Sequence, residues 1–353
     1  MIDFSRLLIS WFRQNGRDLP WRQTSDPYRI WLSEVIMQQT RVAQGMKYYE
    51  RFCERFPTIK NLAEASEEEV LEIWQGLGYY SRARNLYAAA KWVLEERDGI
   101  FPDSYAEILR MKGVGEYTAA AVSSFAFHED QVVVDGNVLR VFSRLFGIEG
   151  DIRLPKIRKQ IYELVRNHLP SGDSWYYNQS IMELGALVCT PTQPNCQICP
   201  VAIFCDARKS NRQGVIPYKS RAKERRRRFL NYFLFQVENE YLFFRRGEKD
   251  IWEGLFEPYL IEANRVFPKE ESSSNVSSIV SVQEFSMYSF PVEKHILSHQ
   301  ELLVSVSLIR MSSKPMIPNG RWVSESDLEA LPKPVIFSKI MGLKKGSTLP
   351  LTF

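Results

Sequence analysis

Three things are scarce in this 353-residue chain, and each scarcity narrows what it can be. No apolar run approaches the ~20 residues that a membrane-crossing helix requires, which excludes a helical membrane protein. The opening residues MIDFSRLLISWFRQ mix acidic, polar and apolar side chains as an amphipathic helix does and carry no export signal, so the expected location is cytoplasmic or nucleoid-associated. Cysteine is limited to five residues, and without an export signal these are not expected to form disulfides. Net charge is only +4, modest for a nucleic-acid binder, and it is unevenly spread. Lys and Arg number 27 against 26 acidic residues over 1–220, 6 against 1 over 221–228, and 13 against 15 over 229–353. The excess therefore sits in RAKERRRR, which is either a solvated linker or a phosphate contact. With 44% hydrophobic and 25% charged residues the chain is globular, and its length suits two or three domains.

The most informative stretch that is present runs from Ile108 to Val141, ILRMKGVGEYTAAAVSSFAFHEDQVVVDGNVLRV. Ile108 and Met111 close one helix, Gly113-Val114-Gly115 forms a tight turn of the kind glycine permits, and Tyr117 to Phe127 continue as an Ala-rich helix. Such a helix-hairpin-helix aims free amides and the positive end of a helix dipole at one point, which suits a nucleic-acid phosphate whatever the base sequence. Val132-Val133-Val134 then returns the chain to the interior, and Asp135-Gly136-Asn137 opens a helix over 138–146. Asp135 stands where an N-cap stands, and after an apolar run it is expected to be poorly solvated.

Upstream, Arg17 to Arg22 (RDLPWR) reads as an extended segment, and Asp26-Pro27 starts a helix with Asp as cap and Pro at the first position. That helix is expected to run through YRIWLSEVIMQQTRVAQGMKYYERF, with Glu34 among Trp31, Leu32, Val35, Ile36 and Met37. A Glu so placed points outward or faces an enclosed pocket, where desolvation would raise its pKa toward neutrality and let it donate a proton. Gly76 to Arg82, GLGYYSR, reads as a Gly-rich loop with exposed aromatics. Cys189-x6-Cys196-x2-Cys199-x5-Cys205, with prolines between the ligands, has the compactness of a metal clip, for which zinc and an iron-sulfur cluster are the alternatives. Cys53, in YYERFCERF, reads as a core thiol. Residues 211–228 are polar and basic without a helical stripe, as in a linker. Beyond them, 229–238, 241–244 and 301–309 read as strands.

The hairpin followed by VDGNVLRV resembles the helix-hairpin-helix DNA glycosylases of the endonuclease III superfamily. The six-two-five cysteine spacing resembles the 4Fe-4S loop of that superfamily, and WLSEVIMQQTRV narrows the likeness to the A/G-specific adenine DNA glycosylase (MutY) family, strongly over 1–209 and weakly beyond. The resemblance implies a mainly α glycosylase core followed by a small α+β Nudix-like domain. Residues 1–25 would pack with an iron-sulfur module at 134–209, 26–133 would form a six-helix module holding the hairpin, 210–228 a basic linker, and 229–353 a lesion-recognition domain. The implied activity is base-excision repair: a monomer carrying a 4Fe-4S cluster on Cys189, Cys196, Cys199 and Cys205 hydrolyses the N-glycosidic bond of adenine opposite 8-oxoguanine or guanine in double-stranded DNA.

By the same resemblance Glu34 is the general acid and Asp135 the carboxylate that meets the oxocarbenium-like sugar. Tyr117 and Asn137 stand beside them, Arg17, Trp21 and Gln179 line the base pocket, and Gly113 and Gly115 carry the phosphate grip. Gln39, with Thr40 next to it, and Tyr79 would wedge into the duplex where a base has been turned out. His295-Ile296-Leu297-Ser298-His299 matches the family's Phe-Ser-His loop with Leu for Phe, so Leu297, Ser298 and His299 would read 8-oxoguanine, with Leu297 able to pack but not to stack. Two departures stand out. Thr190 to Asn195 has no basic residue where the family usually carries some, and 269–283, KEESSSNVSSIVSVQ, has only two Glu, too few to hold magnesium for Nudix hydrolysis. The nearest rival, a bifunctional glycosylase and AP lyase, needs a Lys where Tyr117 stands, eighteen residues before Asp135, because tyrosine cannot form an imine. A non-catalytic iron-sulfur DNA-binding module would not need Glu34 and Asp135 together.

Overall fold

The structure, a computed structural model, describes residues 4–220, 224–280 and 284–341. The start of RAKERRRR (221–223), the end of the Ser-rich stretch (281–283) and the two termini lie outside the described residues. The chain divides into two compact units, Met1–Glu64 with Asn85–Arg221 and Ala65–Arg84 with Ala222–Phe353. Segment 65–84, placed by the resemblance within the six-helix module, thus clusters with the C-terminal strands.

The first unit has at its centre helices that are buried along most of their length. Pro27–Met37 starts as expected, with Asp26 accepting from the Tyr28 amide, and it buries Tyr28 and every residue from Ile30 to Ile36. A helix buried all round belongs inside a core rather than on it. Glu116–Phe127 is buried from Thr118 through Ala126, and Gly136–Leu145 from Val138 onward. Pro27–Met37 packs on Glu116–Phe127, and Gly136–Leu145 packs on Ser174–Leu187. Phe4, Leu8 and Ile9 of Phe4–Asn15 complete a core with Phe142, Ile181 and Val201.

Several sequence expectations are corrected here. The long helix after Pro27 is two helices, because Gln39 takes φ +55, a left-handed conformation that cannot propagate an α-helix; Val42–Arg55 follows the turn. Pro20–Arg22 is a turn of 3-10 helix rather than extended chain. Gln179, assigned to the base pocket, lies inside the helix Ser174–Leu187. In the hairpin, Gly113 has φ +76 and a Cβ there would come within 2.5 Å of Asn85, so glycine is needed. Gly115 has φ −101 and open space around it, so the fold does not require glycine there.

In the second unit Arg226–Val237 is the central strand of a mixed eight-stranded sheet. It pairs parallel with Gln300–Arg310 and antiparallel with Glu240–Arg245 and Tyr259–Ala263, while Ser286–Ser289 and Glu293–Ile296 add antiparallel to Gln300–Arg310. Burial along this strand does not alternate, because both faces are covered. Val276 and Val280 of the helix Lys269–Val280 pack with Phe233 and Phe235 on one face, and Phe337 meets Tyr232 edge-on at 4.8 Å on the other. The basic linker is corrected as well: the strand begins at Arg226, and buried Arg228 forks onto Asp250 (2.6 and 2.7 Å) and Glu262 (2.7 and 2.6 Å). A guanidinium satisfied on both sides inside the protein is not available to a phosphate.

Candidate active site

Because its helix has no outward face, Glu34 is only 9% exposed. Its Oε2 accepts the Tyr117 hydroxyl at 2.9 Å. Burial pushes its pKa up to about 7, with Asp135 adding to the rise and the Tyr117 bond and Arg22 opposing it. Burial also raises Asp135, while hydrogen bonds from Val138 and Asn137 and the charge of Arg140 pull it down. Asp135 caps Gly136–Leu145 as the sequence suggests: Oδ1 accepts the amides of Asn137 (2.8 Å) and Val138 (2.7 Å), and Oδ2 accepts Asn137 Nδ2 at 2.8 Å. Three donors hold charge on Asp135 while one hydroxyl faces Glu34, so a proton shared between them resides on Glu34. Burial drives the Tyr117 hydroxyl well above its ordinary pKa, and it remains a donor.

A second polar group forms beside this pair. Arg17 grips Glu183 with Nε (2.7 Å), Nη2 (2.8 Å) and its backbone amide (2.9 Å). Arg22 gives Nη2 to Glu183 (2.9 Å) and Nε to Gln179 Oε1 (2.8 Å). Burial alone would raise Glu183, yet the hydrogen bonds from Arg17 and Arg22 hold it down at about 2. Arg22 and Glu183 were not singled out from sequence. The signal was there: Glu183 is the lone charge in MELGALVC, and it stands four residues after Gln179 on the same helical face. Trp21 packs edge-on to Tyr49 at 5.1 Å. Gln39 is exposed at the tip of its turn, with Thr40 donating to the Gln38 carbonyl at 3.3 Å.

From Asp135 a hydrogen-bonded path leads to the cysteines. Asn137 Oδ1 accepts Arg140 Nη2 (2.8 Å), and Arg140 also donates to the carbonyls of Gly185 (2.7 Å) and Cys189 (2.8 Å). Arg144 donates to Cys189 Sγ at 3.3 Å and to the Thr190 carbonyl at 2.7 Å. Cys189, Cys196, Cys199 and Cys205 line one small cavity. Burial pushes the Cys199 thiol up to about 11 and raises Cys205, with the neighbouring sulfurs adding to both. Thiols gathered like this shed their protons when a metal centre takes up the charge. Among the described residues no three His, Cys, Asp or Glu side chains are placed to hold one metal ion. Cys53 is half-buried.

The second unit contains a cavity of about 620 Å³ lined by Gly76 to Ser81, Lys249 to Trp252 and residues 295–300. The Leu297 amide donates to the Gln300 carbonyl (2.9 Å), closing the turn that presents Ser298 and His299 to solvent. The hydroxyls of Ser298 and Tyr79 meet. Of the two tyrosines expected to be exposed, Tyr79 is (44%) and Tyr80 is not (6%), since its ring is packed inside with its hydroxyl accepting the Gly76 amide. Burial lowers the pKa of His295, whose ring lies 5.8 Å from that of Trp252.

Comparison with known proteins completes the picture. Residues 32–167 match the HhH-GPD superfamily of base excision DNA repair proteins, and 231–343 match the NUDIX domain. The adenine DNA glycosylase of Buchnera aphidicola subsp. Baizongia pistaciae is 32% identical over 353 residues, covering 98% of each chain. That of Buchnera aphidicola subsp. Acyrthosiphon pisum is 34% identical over 254 residues, 72% of this chain and 73% of its own. Among solved structures, a thermostable thymine-DNA glycosylase aligns with a TM-score of 0.54 at 29% identity, over 59% of this chain and 95% of its own. With a relative matched from end to end, and with a helix-hairpin-helix core followed by a Nudix-like sheet domain, the chain belongs to the adenine DNA glycosylase family.

Proposed function

We propose that this chain removes adenine mispaired with 8-oxoguanine or guanine in double-stranded DNA by hydrolysing its N-glycosidic bond, and that it does not cut the strand. The observation that carries this reading is a pair of unlike carboxylates: a buried Glu34 with its pKa near 7, and Asp135 held by three donors. Glu34 gives its proton to the adenine ring, which then leaves as a neutral base, and the charge of Asp135 faces the developing positive sugar. Left as a carboxylate, Glu34 takes the proton of the attacking water, while Tyr117 eases the charge it now bears. Gln179 is the group that meets the purine edge, its carbonyl oxygen held by Arg22, which is in turn fixed by the buried Glu183 behind it. The Gly113 turn leads into the Glu116–Phe127 terminus, which has no side-chain cap and suits a backbone phosphate. Gln39, next to Thr40, and Tyr79 are the side chains that wedge into the duplex beside the orphaned base. The protein acts as a monomer in the cytoplasm or nucleoid; among the described residues no helix is long and apolar enough to cross a membrane.

The test is single-turnover excision. A duplex with adenine opposite 8-oxoguanine loses adenine, a thymine glycol duplex is untouched, and borohydride traps no protein-DNA adduct because no Lys stands at 117. An intact A:8-oxoguanine duplex would reject the reading.

The pH profile checks the acid. Glu34 must carry its proton, so the rate falls as pH rises through about 7. The Tyr117 bond lowers the pKa of Glu34, so Tyr117→Phe is expected to shift this alkaline limb to higher pH. A limb that stays in place would detach it from Glu34.

The four cysteines share one cavity, and their six-two-five spacing, which resembles that of the superfamily's cluster loop, suits a 4Fe-4S cluster better than a single zinc. When bound, the cluster ties loop 189–205 together and holds the thiolate charge. Purified anaerobically, the protein is expected to be brown with about four irons. Cys199→Ser is expected to lower iron content and soluble yield together. Zinc in place of iron, after growth with ample iron, would defeat this assignment.

For the lesion, the exposed turn at Leu297-Ser298-His299 offers a hydroxyl and an imidazole. Replacing Ser298 and His299 together by Ala is expected to lower the rate ratio for 8-oxoguanine over guanine between several-fold and a hundredfold, since a good base contact carries ~1–3 kcal/mol of discrimination. An unchanged ratio would mean that the lesion is read elsewhere.

A further inference from the structure

The geometry points to Arg84 and Glu253 as a positioning pair that holds Tyr79 against the Ser298 turn and so sets the preference for 8-oxoguanine. This deepens the lesion-reading role proposed for that turn and rests on it.

The loop that carries Tyr79 is costly in conformation. Gly76 and Gly78 lie at φ +94 and +77, and Tyr79 itself at φ +48, where a side chain is disfavoured. Such a loop persists only if its surroundings hold it. On its own side it is tied by Trp74 Nε1 and Arg82 Nη2, both donating to the Gly78 carbonyl at 2.9 and 3.2 Å. Five residues past Tyr79, Arg84 reaches the segment 249–254 and makes two bonds to one residue: Nη1 to the Glu253 carbonyl at 2.6 Å and Nη2 to Glu253 Oε2 at 2.9 Å. That carboxylate also accepts the Lys249 amide at 3.0 Å. Segment 249–254 is itself held in an uncommon shape, with Lys249, Trp252 and Gly254 at φ +66, +61 and +81.

From Trp252 the contacts run to His295, two residues before Leu297. The segment 79–84 therefore touches the same wall twice, at Ser298 through Tyr79 and at Glu253 through Arg84. With the guanidinium clamp in place, the Tyr79 hydroxyl meets Ser298 without an ordering cost at binding. Without it, the loop must be ordered when the lesion arrives. The pair is side-chain 18% and 26% exposed, so the contact is partly shielded from solvent.

The experiment measures single-turnover excision on A:8-oxoguanine and A:G duplexes for the full-length protein, Arg84→Ala, Glu253→Ala, the double variant and Glu253→Gln, with Ser298→Ala alongside. A 2-aminopurine placed next to the 8-oxoguanine reports insertion of Tyr79 as a rise in fluorescence. The expected result is a roughly three- to thirtyfold fall in the 8-oxoguanine preference for each Ala variant, a double variant no worse than the weaker single, and a reduced 2-aminopurine signal. Glu253→Gln, which keeps an acceptor for Arg84, recovers part of the preference. An unchanged preference in both Ala variants, while Ser298→Ala lowers it, would overturn the pair and leave the lesion reading standing. An unchanged preference in Ser298→Ala would remove the lesion reading and this inference together. Equal losses on both duplexes in every variant, Glu253→Gln included, would assign the pair to folding alone and overturn the positioning role.

Discussion

Glu34→Gln is expected to bind a mismatch duplex with nearly unchanged affinity and to excise adenine at least ~10³-fold more slowly, within the range that a positioned general acid supplies. The amide fills the same buried space and can still accept the Tyr117 hydroxyl, so the pocket keeps its shape. What it cannot do is protonate the leaving base. Stability should hold or rise, because a carboxylate whose pKa is pushed up by burial is costly to ionise there, and an amide carries no such cost. A gel shift paired with single-turnover excision separates the two steps. Appreciable excision by this variant would take the acid role away from Glu34.

Asp135→Asn is expected to lose ~10²–10³-fold or more in excision while keeping its fold. Asparagine is as good an N-cap as aspartate, so its oxygen can still accept the amides of Asn137 and Val138. Its nitrogen, however, would face the Asn137 amide nitrogen that now donates to Oδ2, a lost hydrogen bond worth ~1 kcal/mol. The larger loss is the negative charge. Asp135 raises the pKa of Glu34, so neutralising it should also move the residual activity's alkaline limb to lower pH, opposite to the shift expected from Tyr117→Phe. Two shifts of opposite sign on one titration would tie all three residues to a single proton. Retention of more than a tenth of the rate would mean that the charge at 135 is not what stabilises the sugar.

The difference between what was legible in the chain and what was not follows the range of the forces involved. The hairpin turn at Gly113, the cap at Asp135, the start at Asp26-Pro27 and the clustering of Cys189, Cys196, Cys199 and Cys205 all depend on atoms within a few residues of each other, and the sequence by itself determined them. The fate of Glu34 did not. Whether it met water or an enclosed pocket depended on its helix being covered on every side, and its partner Tyr117 stands 83 residues away. The Arg17 and Glu183 clamp spans 166 residues, and from sequence its two halves were an arginine in a short segment and a glutamate in an apolar helix. Arg228 reads as one more charge in a basic run, yet the carboxylates of Asp250 and Glu262 take it into the sheet. The turn at Gln39 could not be seen because helix and turn compete there by small local preferences, which packing overrules. Short-range geometry is written in neighbouring residues; burial, and with it the raised pKa of Glu34 and the paired charges of Glu183 and Arg228, belongs to segments that only the tertiary structure brings together.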